Sequence, residues 1–258
     1  MALPQQLLSR VEDACLNASA PPAQQWMDGW LLRTLPGKAR RARSVHALMP
    51  GVQPLTEKLA AAEAACARSG VPLIFRITPY TQPADLPAQL ALLGFEAVDP
   101  TRVLVAPSLP THTPPPPAGL HLEPLDGEAF ADAVGALRDS PPAHRQSHAL
   151  RLAHSPVPYR GLALRRTADG QVMACGQMAL EPPLTGLYDV FTHPEARNQG
   201  LARLLCEHLL SLGAQLGARI GYLQVDAANA PALAVYRRLG FVDGYGYHYL
   251  ERRSAAGG

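Results

Sequence analysis

Between the apolar run Leu187–Thr192 and a leucine-rich stretch that opens at Leu201 lies the sequence His193-Pro194-Glu195-Ala196-Arg197-Asn198-Gln199-Gly200-Leu201-Ala202. A strand that turns directly into a helix makes an anion site. The first helical turn leaves backbone N–H groups without intrahelical partners, and the macrodipole is positive there. Small residues at Gly200 and Ala202 let a diphosphate approach the backbone, and Arg197 places a positive charge beside the turn. The amides of Asn198, Gln199, Gly200, Leu201 and Ala202 are the candidate phosphate donors. Downstream, Asn229-Ala230-Pro231 opens a further helix, with Asn229 as its N-cap and Pro231 in its first turn. Tyr236 shares helical spacing with Leu233 and Leu239 on that helix. His144 and His148 stand at i, i+4, the spacing of two metal ligands on one helix face. No third ligand follows at a set spacing, and no metal site is expected.

These residues sit in a C-terminal half that alternates strands and helices. Leu120–Leu125 reads as a strand, and Gly127–Leu137 and Ala143–Ala153 as helices. Tyr159–Arg166 and Val172–Leu180 read as strands around the hairpin signal Asp169-Gly170. Gly186–Thr192 is the next strand. Leu201, Leu204, Leu205, Leu209 and Leu212 recur at helical period. Ile220–Val225 is a buried-looking strand, Asn229–Leu239 a helix, and Phe241–Leu250 a closing strand or hairpin. Upstream, Pro107–Gly119 contains four consecutive prolines, which fit neither a helix nor a central strand, and reads as a stiff spacer.

The motifs resemble those of the GNAT superfamily of N-acetyltransferases. The family's pyrophosphate loop, Arg/Gln-x-x-Gly-x-Gly/Ala, is matched by Arg197, Gly200 and Ala202. The segment Asn229 to Phe241 is similar to the family's Asn-x-x-Ala-x-x-x-Tyr-x-x-x-Gly-Phe, with Ala232, Tyr236 and Gly240 in register. The resemblance implies an α/β (α+β) fold of the GNAT acyl-CoA N-acyltransferase type: a mixed, mostly antiparallel sheet flanked by helices, here in two tandem units. It implies acetyl-CoA as cosubstrate and direct transfer of the acetyl group to a primary amine of a small molecule or peptide.

The resemblance also assigns roles. Tyr236 is the expected general acid that protonates the departing thiolate, since a phenol is protonated at neutral pH and donates a hydrogen bond. A core tyrosine at helical spacing with Leu233 and Leu239 is the competing reading. Backbone N–H groups of Val190, Phe191 or Thr192 are expected to meet the thioester carbonyl. Asn229 is expected to reach the coenzyme as well as cap its helix. Asp189 is the leading candidate for general base, with Glu181, His193 and His248 behind it. A paired strand carboxylate is the competing reading of Asp189. Tyr245, Tyr247 and Tyr249 share one strand face and suit either an acceptor pocket or aromatic packing.

The N-terminal half repeats the apolar framework. Helix-like Leu55–Arg68, Gly70, strand-like Val71–Ile77 and Leu93-Gly94-Phe95 parallel the run from Leu201 to Phe241. Aligned on Gly94 and Gly240, Leu90 stands for Tyr236 and Pro83 for Asn229, and no phosphate loop precedes Leu55. The expected layout is a degenerate copy over 1–106, a Pro-rich linker over 107–119 and a catalytic unit over 120–253.

Composition narrows the class. The 258 residues carry a formal charge of +2, 47% hydrophobic and 17% charged residues, a globular balance. The basic run Lys38, Arg40, Arg41, Arg43 reads as a solvated loop, and no nucleic-acid partner is expected. No stretch approaches a membrane span. Met1–Ala20 reads as an amphipathic helix, and four scattered cysteines suit a reducing compartment, so a cytoplasmic location is expected. Two other classes compete with the enzyme: an acyl-CoA sensor without turnover, and an interaction module acting through Arg40, Arg41 and Arg43. The acceptor amine and the oligomeric state are not legible.

Overall fold

The computed structural model describes residues 3–252. Along the chain run α1 (Gln5–Ala18), β1 (Gln24–Met27), β2 (Trp30–Arg33), β3 (Val45–Ala47), α2 (Leu55–Arg68), β4 (Ile74–Ile77), α3 (Leu86–Leu92) and β5 (Phe95–Ala106). Then come β6 (Leu120–Leu125), α4 (Gly127–Leu137), α5 (Pro142–Ala153), β7 (Tyr159–Arg166), β8 (Val172–Glu181) and β9 (Leu184–Thr192). The last are α6 (Leu201–Gln215), β10 (Ile220–Asp226), α7 (Ala230–Arg238) and β11 (Val242–Arg252).

Packing divides the chain into two compact units. The larger holds the chain up to Ala18, Val103–Val225 and Asn229–Gly244; the smaller holds Ser19–Arg102, Asp226–Ala228 and the chain from Tyr245 on. This departs from the contiguous division at 106 and 120. The reasons are local. Helix α1 buries Leu8, Val11, Ala14, Cys15 and Ala18, and its last carbonyls are taken by the larger unit. Tyr222 Oη donates to Ala14 O at 3.2 Å, Tyr159 Oη to Ala18 O at 2.5 Å and Arg151 Nη1 to Ala18 O at 3.2 Å. In the smaller unit, His248–Glu251 of β11 pair antiparallel with Ile74–Ile77 of β4. Arg253, the expected end of the catalytic unit, lies outside the described residues.

In the larger unit the strands run in the order β5, β10, β9, β8, β7, β6. The pairs β6/β7, β7/β8 and β8/β9 are antiparallel, and β9/β10 is parallel. A parallel pair needs a crossover, and α6 supplies it. Alternation puts Ala174, Met178 and Leu187 in one core with Leu201, Leu205 and Leu209 of α6. Ala163 and Cys175 enter a second core with Phe130 and Val134 of α4 and Leu152 of α5. The Pro-rich segment carries no helix or strand over 107–117, as four prolines require. It is not a free spacer: Leu109 packs on the α6 core, and His208 Nε2 meets Pro114 O at 2.9 Å.

In the smaller unit the order is β1, β2, β3, β4, β11. Trp30, Leu32, Val45, Ala47, Phe75, Ile77 and Leu250 form one face, covered by Leu59 and Ala62 of α2 and by Leu86 and Leu90 of α3. Leu90, which stands where the other half has Tyr236, is fully buried there. The basic run is not a solvated loop. Arg40 pairs with Asp99 at 2.6 Å and Glu251 at 2.5 Å, and Arg43 Nε is buried without a hydrogen-bond partner.

Candidate active site

The site is built where β9 and β10 part. Their register runs from Leu184↔Ile220 to Leu187↔Leu223. Beyond it, Tyr188–Thr192 and Gln224–Asp226 make no pairs with each other among the described residues. On its other side β9 carries a bulge. Cys175 faces Phe191 and Gln177 faces Tyr188, so Gly176 alone spans Asp189 and Val190. Asp189 takes a left-handed φ of +52° to make room for the extra residue. A bulge of this kind re-aims backbone amides and side chains at a strand end. Asp189, Val190, Phe191 and Thr192 are all half-buried.

Strand β9 ends in a short 3-10 turn, Pro194–Ala196, whose first amide is met by His193 Nδ1 at 3.4 Å. Ala196 is buried and anchors the turn, whereas Arg197, Asn198, Gln199 and Gly200 are exposed. Asn198 and Gly200 have φ of +62° and +78°. Gly200 is the N-cap of α6 and offers no capping side chain, so the first-turn amides keep their donors free of a cap. A Cβ at Gly200 would meet nothing within 4 Å. Glycine is required there by the backbone angle, not by crowding. Leu201 turns its side chain into the core, and half-buried Ala202 follows it. Uncapped amides, positive-φ backbone and Arg197 together make an anion site.

Helix α7 starts as expected: Asn229 Oδ1 accepts from Ala232 N at 3.1 Å. None of its residues is fully buried, although Ala232, Leu233, Tyr236 and Leu239 touch the α6 core. The Tyr236 ring meets Phe241 edge-on at 5.9 Å. Burial, and to a lesser degree neighbouring Cys206, pushes its phenol well above the ordinary tyrosine value. It is a protonated donor at neutral pH, and its hydroxyl has no hydrogen-bond partner among the described residues.

Asp189 lies at the bulge, on the strand where the sequence reading places it, and its carboxylate is engaged. Oδ1 accepts from Arg138 Nη1 at 3.0 Å, and Oδ2 accepts from Gln177 Nε2 at 2.9 Å and lies 3.4 Å from His148 Nε2. Burial pushes the carboxyl up, but the His148 contact and the charges of Arg138, His148 and Arg151 outweigh it. The acid is held well below the usual carboxylate range. Arg138, Gln177 and His148 come from α4's end, β8 and α5. Nothing in their sequence spacing links them to Asp189, and only the bulge brings them together.

The other candidates are placed elsewhere. Glu181 accepts from Asn17 Nδ2 at 3.0 Å, and His193 serves its turn. His248, Tyr245, Tyr247 and Tyr249 belong to the smaller unit. There Tyr245 packs on Tyr80, and Arg76 lies 3.9 Å over the Tyr247 ring. Among the described residues no group of acidic, histidine or cysteine side chains is arranged to hold a metal.

Residues 131–241 match the acetyltransferase (GNAT) family. This stretch contains the bulge, the α6 turn and α7. Over 82 residues the chain is 34% identical to the [ribosomal protein bS18]-alanine N-acetyltransferase of Salmonella typhimurium, covering 32% of this chain and 55% of that relative. The Escherichia coli K12 protein of that name is 33% identical over the same length. The chain thus spans about half the length of the curated relatives it matches. Among solved structures, a GCN5-related N-acetyltransferase from Kribbella flavida superposes with a TM-score of 0.66 at 19% identity, covering 99% of this chain and 97% of that one. A tandem GNAT protein from the clavulanic acid biosynthesis pathway superposes with a TM-score of 0.63 at 18% identity, covering 80% and 73%. These likenesses establish the fold. Residues 131–241 of the chain thus form a GNAT acetyltransferase domain.

Proposed function

We propose that this chain transfers the acetyl group of acetyl-CoA to a primary amine of a small molecule or peptide. One observation carries the reading: β9 parts from β10 just where it leads into the uncapped, positive-φ start of α6. The gap would admit the pantetheine arm, and the amides of Asn198–Ala202 with Arg197 would hold the diphosphate. Amides of Val190, Phe191 or Thr192, re-aimed by the bulge, would donate to the thioester oxygen as it gains charge. Tyr236 would give its proton to the departing thiolate. A peptide N-terminus is one acceptor class supported by the names of the relatives, and a small amine is the other. The smaller unit serves as a non-catalytic partner domain. The four free cysteines suit a cytoplasmic setting, and no described helix is long and apolar enough to cross a membrane.

The test is thiol release from acetyl-CoA across a panel of amines and peptides, with Tyr236→Phe beside the wild type. Turnover that falls in the variant while acetyl-CoA affinity stays constant supports the assignment. Acetyl-CoA binding with no release for any amine would make the chain a sensor instead.

A further inference from the structure

Beside the bulge stands a histidine that the sequence motifs do not mark. Asp189 is a poor proton acceptor, because Arg138 occupies one oxygen and Gln177 donates to the other. Beside it stands His148, with its side chain 17% exposed. Its Nε2 lies 3.4 Å from Asp189 Oδ2 and 3.4 Å from Gln177 Nε2. Phe130 of α4 packs edge-on against the imidazole at 6.1 Å and fixes its plane. With the carboxylate accepting at Nε2, that nitrogen carries the hydrogen and Nδ1 keeps its lone pair. Nδ1 has no hydrogen-bond partner among the described residues. The ring therefore has an oriented donor side and an available basic side, within one side chain's span of the bulge amides.

We propose that His148 accepts the proton of the incoming ammonium, that Asp189 is the positioning residue that orients its ring, and that Gln177 acts by holding Asp189 through Oδ2. This rests on the acetyl-transfer reading above and names the proton acceptor within it.

The step balances without a further reactant. The ammonium N–H bond breaks and its proton passes to Nδ1 of His148, which later releases it to solvent. The amine lone pair then forms the C–N bond to the thioester carbonyl carbon. The C–S bond breaks, and the thiolate takes the Tyr236 proton. The phenolate recovers a proton from the amide nitrogen as the neutral amide forms.

The charged groups around the Asp189–His148 pair are Arg138 after α4 and Arg151 on α5. Gln177 on β8 and Phe130 on α4 are neutral. Arg151 is tied to the Ala18 carbonyl and lies over the Tyr159 ring. The imidazolium that forms is stabilised by Asp189, the same carboxylate that orients the neutral ring.

The experiment is the pH profile of kcat/KM for wild type, His148→Ala, His148→Gln and Asp189→Asn, using the best amine of the thiol-release panel. A base of this kind contributes on the order of 100-fold or more. His148→Ala and His148→Gln are expected to lose about 100-fold and the ionisation on the acid limb. Imidazole added to His148→Ala is expected to restore part of the rate. Asp189→Asn is expected to lower kcat while keeping the acid limb and the acetyl-CoA affinity, since the imidazole remains but the carboxylate that orients it is gone. Acetyl-CoA affinity reports whether each variant is folded. Wild-type activity and an unchanged acid limb in His148→Ala would overturn the proposal, as would a rate loss that imidazole does not rescue. A wild type that transfers no acetyl group to any amine would overturn the parent reading and this one with it.

Discussion

Gly186 lies against the ring of Tyr222, its partner across the parallel pair: a Cβ on Gly186 would overlap Tyr222 Cζ and come 2.7 Å from Cε2 of both Tyr222 and Tyr188. The two phenols are buried and joined at 3.3 Å, and Tyr222 continues to the Ala14 carbonyl of α1. The absent side chain lets both rings meet edge-on one step before the last pair, Leu187↔Leu223, where the strands part.

Gly186→Ala is therefore expected to destabilise the protein by about 1–3 kcal/mol, the cost of overpacking a filled core. Chemical denaturation reads this as a lower midpoint at unchanged slope. A midpoint within error of wild type would mean that the tyrosine pair does not set the geometry of the fork.

Gly200 and Gly170 both hold left-handed backbone with open space around a would-be Cβ. Alanine at either should cost about 1 kcal/mol of backbone strain. Only Gly200→Ala should also weaken acetyl-CoA binding, by several-fold in calorimetric Kd, because only there does relief of strain rotate the amides proposed to hold phosphate. Equal affinities in the two variants would remove the α6 turn from the binding site.

The Asp189 carboxyl lies below its unfolded value, near 3.9. A depressed acid stabilises the fold above its unfolded pKa and loses that contribution as pH falls through its folded pKa. Asp189→Asn should thus lower stability at neutral pH and flatten the decline of stability below about pH 4. Melting temperature against pH checks this. Parallel curves for variant and wild type would show that the Arg138 and His148 contacts add nothing.

Asn229→Ala removes the acceptor for Ala232 N, and about 1 kcal/mol of helix stability should go with it. Asn229→Asp keeps the cap. Acetyl-CoA affinity that falls in both variants would mean the side chain reaches the coenzyme. Affinity that falls only in Asn229→Ala would confine Asn229 to capping.

Much of this was legible because it is local. The α6 and α7 starts follow from Gly200, Asn229 and Pro231, and α2, α4, β6 and β7 were bounded to the residue. The bulge at Asp189 was not, because an extra residue in one strand is defined only by its partner, Gly176. The Arg138–Asp189–His148–Gln177 cluster draws on four segments, so no spacing reveals it. The i, i+4 spacing of His144 and His148 says nothing of what His148 meets, which is a carboxylate and Phe130. Helix α1 read correctly as amphipathic, but which unit it joins depends on Tyr159 and Tyr222, far along the chain. The basic run at Arg40 looked solvated because Asp99 and Glu251, which pair with it, are distant in sequence.

We propose that amides of Asn198–Ala202 grip a diphosphate and that Tyr236 stands by the sulfur. The direct measurement is a crystal structure with coenzyme A. Phosphate oxygens are expected within hydrogen-bond distance of those amides, and the thiol within reach of the Tyr236 hydroxyl. Diphosphate density away from the α6 turn, or a sulfur remote from Tyr236, would contradict the proposal.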